Sequence, residues 1–421
     1  MFDLNKLKIE FQLESENILN FWATLKDETN GGFYSESYCG NVDKNADKSV
    51  LLHCRILWAF SSAYKVFKQE EYKQLAAHAY LFLAQNAFDE NHDGLVWMLD
   101  ENGNVTNYLK HTYNQAFGIY ALSEYYAAVG DEEALELAKR LFYLIEHKAL
   151  DTVLGGYNDA FQRHWVSCDN HLLGDVGMVF KFAPKTMNTH LHVLEAYSNL
   201  AKCWCSQSLL SAIERIALVF ERRIYRANGH LGLYFSNDWK LISPRDLSTT
   251  QPYDVISYGH EIEASWLIDD ALEQLPSSIW KAKLKEKNHQ LAVFTFEQAI
   301  SEQGSVMNEW KSHIGMDDDR IWWVQAEALV GFMHAYQNTN DDLWLEAIGN
   351  CWRAISQYQI DKVNGEWFWS IDQNNQPHRQ FPQVSTWKCP YHNTRACLEL
   401  YQRISQLEQN EKNKRNGLCI Q

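Results

Sequence analysis

Apolar and polar positions along the chain sort into two kinds of helical segment, and the two kinds alternate. The first kind is apolar nearly all round. Its copies are LLHCRILWAFSSAY (51–64), YNQAFGIYALSEYY (113–126), MNTHLHVLEAYSNL (187–200), YGHEIEASWLIDDAL (258–272), WWVQAEALVGFMHAY (322–336) and YHNTRACLELYQR (391–403). A helix without a polar face is one buried on several sides. The second kind carries charges at helical spacing beside an apolar stripe, as in 132–150, 209–225 and 342–360. That pattern predicts an outer layer. A turn of glycine followed by an aromatic residue precedes each apolar helix. It reads Gly31-Gly32-Phe33, Gly94-Leu95-Val96-Trp97, Gly155-Gly156-Tyr157 and Gly232-Leu233-Tyr234, then a weaker copy at Gly304–Trp310, then Gly365-Glu366-Trp367. The repeat is roughly 60–75 residues long, beyond most solenoid periods.

Six helical hairpins, each with one buried and one outer member, predict an all-α fold, an (α/α)6 barrel. An open solenoid is the competing arrangement. Closure is favoured because the buried helices carry polar residues that need one another when removed from water. No Pro-, Gly- or Ser-rich linker interrupts the pattern, so residues 1–408 read as a single catalytic barrel domain. Residues 409–421 read as a polar, frayed C-terminal tail.

The polar residues of the buried helices lie near their N-terminal ends: Arg55, Asn114, Gln115, Asn188, His190, His192, His260, Glu263, Gln325, Glu327, His392 and Arg395. In a closed barrel these ends meet in one pocket. Asn188 and His192 are four apart, Trp323 and Glu327 four apart, and His260 and Glu263 three apart, so each pair shares a helix face. A carboxylate beside an imidazole orients the ring and stabilises its charged form. Three histidines at equivalent helix starts point to acid/base catalysis. His190 lies off the Asn188/His192 face and reads as a packing residue. A metal site has no His-Glu-x-x-His motif and no carboxylate cluster to support it. A hydrolase would use Glu263 and Glu327 as its carboxylate pair. The excess of histidine over acid favours reversible transfer of a carbon-bound proton instead.

Charge narrows the partners. With 38 Lys+Arg against 54 Asp+Glu the net charge is −16, which disfavours nucleic acid. No apolar run reaches the ~20 residues of a membrane span. The N-terminus lacks the apolar core of a signal peptide, and nine cysteines without paired spacing suit a reducing, cytoplasmic setting. Sixteen Trp supply flat apolar faces of the kind that pack on sugar rings. A carbohydrate-binding barrel without catalysis would need the tryptophans but not the histidines.

At these residues the chain resembles the N-acylglucosamine 2-epimerase superfamily. The phrases are RILWAFSSAY, YNQAFGIYALSEYY, KTMNTHLHVLEAY, ISYGHEIEASWL, WWVQAEALVGF, GEWFW and WKCPYHNTRACLE, which together cover nearly the whole chain and match the disaccharide-acting branch best. The resemblance implies a helical barrel that needs no metal or cofactor. It implies 2-epimerisation of glucose at the reducing end of a β-1,4-linked disaccharide (cellobiose, with lactose or mannobiose as further candidates). A monomer or weak homodimer acting on a small sugar is expected. Carried over, His260 and His392 would be the acid/base pair, His192 the group assisting ring opening and the enediolate stage, and Glu263 the residue tuning His260. Arg55 and Asn188 would hold open-chain oxygens. Trp266, Trp323 and Trp387 would shape sugar subsites, with Tyr113 and Glu327 as further pocket residues. Two plainer readings stand beside these: Arg55 as a buried ion pair with Glu263 or Glu327, and Trp266 as core. Aldose–ketose isomerisation, or 2-epimerisation of free mannose, is the nearest alternative chemistry. The segment between Trp165 and Lys185 and the stretch 376–386 depart from the family's pattern, and both would border the pocket mouth.

Overall fold

The computed structural model describes residues 3–170, 183–245 and 251–415. Its helices are α1 (Leu4–Ala23), α2 (Val50–Phe67), α3 (Glu70–Asn86), α4 (Thr112–Val129), α5 (Glu132–Lys148), α6 (Met187–Ala201), α7 (Gln207–Val219), α8 (Tyr258–Glu273), α9 (Ile279–Ala299), α10 (Trp322–Thr339), α11 (Asp342–Ala354) and α12 (Tyr391–Arg415). The even-numbered helices pack side by side as α2–α4–α6–α8–α10–α12, and α12 returns to α2, so the inner ring is closed. Each odd-numbered helix lies outside an even-numbered one. The (α/α)6 barrel expected from the alternation is the observed fold.

Burial explains the division. In α4 every residue from Thr112 to Tyr125 is buried. Its outer partner α5 buries Ala134, Leu135, Ala138, Leu141, Phe142, Leu144 and Ile145, a stripe at helical spacing. Glu132 and Glu133 sit in its first turn and His147 and Lys148 in its last, where each charge suits the helix dipole. The outer helices α7 and α11 each end in one π-helical turn, Phe220–Ile224 and Ile355–Gln359.

Two features went beyond the sequence pattern. First, α1 is the outer partner of α12, so the two ends of the chain form one hairpin and close the ring. Buried tryptophans seal this joint: Trp22 Nε1 donates to Glu366, and Trp367 Nε1 donates to Glu14 Oε1 at 2.7 Å. Second, α12 continues as helix to Arg415, with Glu408 paired to Lys8 of α1. The polar tail expected from residue 409 is therefore helical as far as Arg415, while 416–421 lie outside the described residues.

Short antiparallel strands fix the pocket end of the barrel. Residues entering an inner helix pair with those leaving the next outer helix: Lys48–Ser49 with Met98–Leu99, Lys110–His111 with Ala160–Phe161, and Lys185–Thr186 with Tyr234–Phe235. Val255–Ser257 with Glu309–Lys311 and Arg320–Ile321 with Ser370–Ile371 repeat the arrangement. A bridge between Ser37 and Val384 completes the circle. Among the described residues no helix is long and apolar enough to cross a membrane.

Candidate active site

The start of each inner helix has a shared register. One side chain reaches back to the glycine-aromatic turn and satisfies a buried backbone N–H. Phe33 N donates to His53 Nε2, Leu95 N to Gln115 Oε1, Tyr157 N to His190 Nε2, Leu231 N to Glu261 Oε1 and Val306 N to Gln325 Oε1. On α12 the equivalent Asn393 bonds Glu366 of the turn. Two residues further along each helix stand Arg55, Phe117, His192, Glu263, Glu327 and Arg395. Five of these six are polar, and they meet inside the ring. His190 is thus a structural residue, as expected. Gln115 and Gln325 share that duty, and Asn114 donates to Val96 O.

Arg395 is the centre of the polar floor. Its guanidinium bonds Glu195 and the Tyr391 hydroxyl on one side, and Glu263 Oε1 at 2.9 Å and Glu327 Oε1 at 2.6 Å on the other. All four charged groups are buried. Burial and the neighbouring Glu327 push the Glu263 carboxyl well above its ordinary range, and burial raises Glu327. Glu195 goes the other way. Against the effect of burial, Arg395 and His192 hold its carboxyl down to about 2.

The histidines stand on this floor. His392 Nδ1 is 2.7 Å from Glu327 Oε1 and 3.9 Å from Glu263 Oε1. His192 Nδ1 is 2.7 Å from Glu195 Oε2. His260 Nδ1 is 2.8 Å from Ser257 Oγ. Burial lowers all three imidazoles below their ordinary value; nearby His192 adds to the effect at His260, and Arg395 at His392. Trp323 lies between the outer two, its ring 4.8 Å from that of His260 and 5.6 Å from that of His392.

Arg55 holds the opposite wall. Its guanidinium donates to Tyr113 Oη at 2.6 Å and to Cys389 Sγ at 3.6 Å, and stacks 4.3 Å from the Phe117 ring. It makes no ion pair with Glu263 or Glu327; that role belongs to Arg395. Arg55 Nε, Arg395 Nε and Asn188 Oδ1 are buried without a hydrogen-bond partner among the described residues. Buried polar atoms are rarely left so. Trp387 and Trp97 ring the Tyr113 side, with Trp387 centroids 6.1 Å from Tyr113 and 6.3 Å from Trp97.

Several assignments change. Glu263 does not tune His260: side chains three apart on a helix share a face without having to touch, and Glu263 is drawn to the buried cation of Arg395. Ser257 is the partner of His260 instead. Trp266 is 4% exposed, donates to Glu327 Oε2 at 3.2 Å and packs 4.7 Å from the Arg395 guanidinium, so it braces the floor. Glu195, Tyr391 and Ser257 went unnoticed in the sequence. Glu195 sits three residues after His192, the spacing that drew attention to Glu263. Ligand atoms of Glu263, Glu327 and His392 lie within 4.8 Å of one another, a geometry open to a cation. Arg395 already supplies a cation to both carboxylates there. Residues 171–182, within the segment that departs from the family pattern, lie outside the described residues.

The inner helix starts of this closed barrel thus converge on three histidines, a buried arginine–carboxylate floor and the Trp323 and Trp387 rings. The chain belongs to the N-acylglucosamine 2-epimerase family, whose pattern it matches over residues 31–396. It is 40% identical over 408 residues to the cellobiose 2-epimerase of Dictyoglomus turgidum, covering 96% of this chain and 100% of that protein. It is 40% identical over 392 residues to that of Ruminococcus albus, covering 92% and 96% of the two chains. Among solved structures, the cellobiose 2-epimerase of Bacillus thermoamylovorans B4167 superimposes with a TM-score of 0.87 at 40% identity, over 95% of this chain and all (100%) of the other. Family and relatives make the chain a carbohydrate epimerase, an isomerase.

Proposed function

We propose that the protein inverts C2 of the glucose at the reducing end of a β-1,4-linked disaccharide, with cellobiose as the reference substrate. The relatives' activity motivates the substrate class. One observation carries the mechanism: two histidines at the same turn of α8 and α12 flank Trp323, each with its own Nδ1 partner. Ring opening exposes a C1 aldehyde, which acidifies the C2 proton. Glu327 holds His392 Nδ1–H, so Nε2 is left unprotonated and ready to accept that proton. The Ser257 hydroxyl can either donate or accept, so His260 can present Nε2 with or without a proton. One histidine removes the C2 proton, a cis-enediolate forms, and the other delivers a proton to the opposite face. Arg55 and Asn188, with their unpartnered Nε and Oδ1, would bind the open-chain oxygens, and Arg55 would stabilise the enediolate charge. Trp323 and Trp387 would pack on the sugar faces. Tyr113 positions Arg55.

Glu263 and Glu327 are both committed to Arg395, so neither is free to flank a glycosidic bond as the carboxylate pair of hydrolysis. The test is incubation with cellobiose in D2O, with chelator present, followed by NMR. The 2-epimer carrying deuterium at C2, absent with His260→Ala and with His392→Ala, is the expected product. A ketose would move the activity to aldose–ketose isomerisation. Release of monosaccharides would contradict the proposal.

A further inference from the structure

Glu195, Tyr391 and Arg395 are buried titratable groups that take no part in the proton exchange at C2. Glu195 links the other two to His192. Its Oε2 faces His192 Nδ1 at 2.7 Å, and its Oε1 accepts from Tyr391 Oη at 2.5 Å and from Arg395. His192 and Glu195 are 3% and 4% exposed, so the pair is shielded from water on this side. The His192 ring is held edge-on by Tyr113 at 5.0 Å and packed by Phe117 at 5.0 Å, both of which also contact Arg55. With Nδ1 committed, Nε2 is the one ring nitrogen left for a ligand, and it has no hydrogen-bond partner among the described residues.

We propose that Glu195 is the positioning residue for His192, fixing its tautomer and stabilising its transient positive charge while it opens the sugar ring. The assignment rests on the epimerisation proposed above, whose ring-opening step it gives to His192. Ring opening moves one proton and breaks one bond. Nε2 of His192 takes the proton from the anomeric O1–H. The C1–O5 bond breaks, its electron pair going to O5 as C1=O1 forms. The imidazolium then returns the same proton to O5. An aspartate or glutamate on the far nitrogen supports such a two-way transfer by holding the ring and its charge. Arg395 keeps Glu195 ionised for this purpose. Because Arg395 also bonds Glu327, the partner of His392, one buried cation braces both the ring-opening and the C2-proton groups.

The test uses Glu195→Gln and Glu195→Asp in the full chain. Two rates are read: enzyme-dependent exchange between the α and β anomers of cellobiose, by NMR saturation transfer, and the C2-deuterium isotope effect on epimerisation. For Glu195→Gln, anomer exchange and kcat fall at least about tenfold, the scale of losing a residue that orients a functional imidazole. KM changes little, and the isotope effect drops toward unity because ring opening has become limiting. Glu195→Asp, which keeps the charge, recovers part of the loss. Unchanged anomer exchange in Glu195→Gln overturns the proposal. So does a loss shared equally by both variants with an unaltered isotope effect, which would mark Glu195 as a packing residue. A wild-type protein that accelerates anomer exchange but not C2 exchange would refute the epimerase reading while the Glu195 assignment stood on the anomer data.

Discussion

At the scale of single residues, the pocket is governed by one arginine. Arg395 sits among Glu195, Glu263 and Glu327 and is nearly sealed from water, with 1% of its side chain exposed. A buried charge network of this sort adds little net stability, but it fixes geometry, because each partner loses its compensation when another moves. Its effect reaches the histidines as field: the positive charge of Arg395 helps burial hold His392 below its ordinary value. The sign of the pH dependence follows. A histidine whose value is lowered stays neutral, and competent as a base, down to pH values under 6.5. The acid limb of kcat/KM is expected below pH 6.5, and an acid limb centred above pH 7 would contradict the assigned bases. Sequence reading singled out the histidines and Arg55, which the barrel brings together, because charged and imidazole side chains at the start of an otherwise apolar helix stand out. It misplaced the partner of His260 and overlooked Glu195. Which acid meets which base depends on how neighbouring helices face each other across the barrel, and linear spacing carries no record of that.

At the scale of the element, each inner helix start performs two tasks two residues apart. His53 and His190 bind the turn, while Arg55 and His192 face the pocket. The turn glycines make room for this. Gly156 has φ of +76°, and a Cβ there would come within 2.6 Å of His190 Nε2; Gly32, at +67°, would meet His53 Nε2 at the same 2.6 Å. Two histidines in one short segment of α6 should therefore respond in opposite ways. His190→Ala leaves the buried Tyr157 N–H unsatisfied and is expected to cost about 1–3 kcal/mol in urea denaturation. His192→Ala should lose activity with a far smaller change in stability. Equal destabilisation by both would contradict the division of labour. The glycine-aromatic turns and the helix types were legible in the sequence, since both follow from local periodicity and backbone freedom. The two-residue offset was equally present in the spacing, but it acquires meaning only when the turn is seen lying against the helix start.

At the scale of the molecule, the barrel is closed by its own termini. The repeat order visible in the sequence suggested six hairpins formed by consecutive segments. In the structure the sixth pair joins α1 to α12, through Trp22, Trp367, Glu14 and Glu366. Local periodicity cannot show a contact between residues that lie more than 340 positions apart, as Trp22 and Glu366 do. Closure matters for chemistry because His260 on α8, His392 on α12 and His192 on α6 belong to one pocket only when the ring is complete. It also places the two proposed C2 bases on different walls, as inversion at C2 by two bases requires. The most direct measurement is deuterium exchange at C2 in each single variant, starting separately from cellobiose and from its 2-epimer. With two bases, His260→Ala and His392→Ala each lose exchange with a different one of the two sugars, and neither interconverts them. Exchange with both sugars in either variant, or continued inversion by one of them, would contradict the two-histidine account.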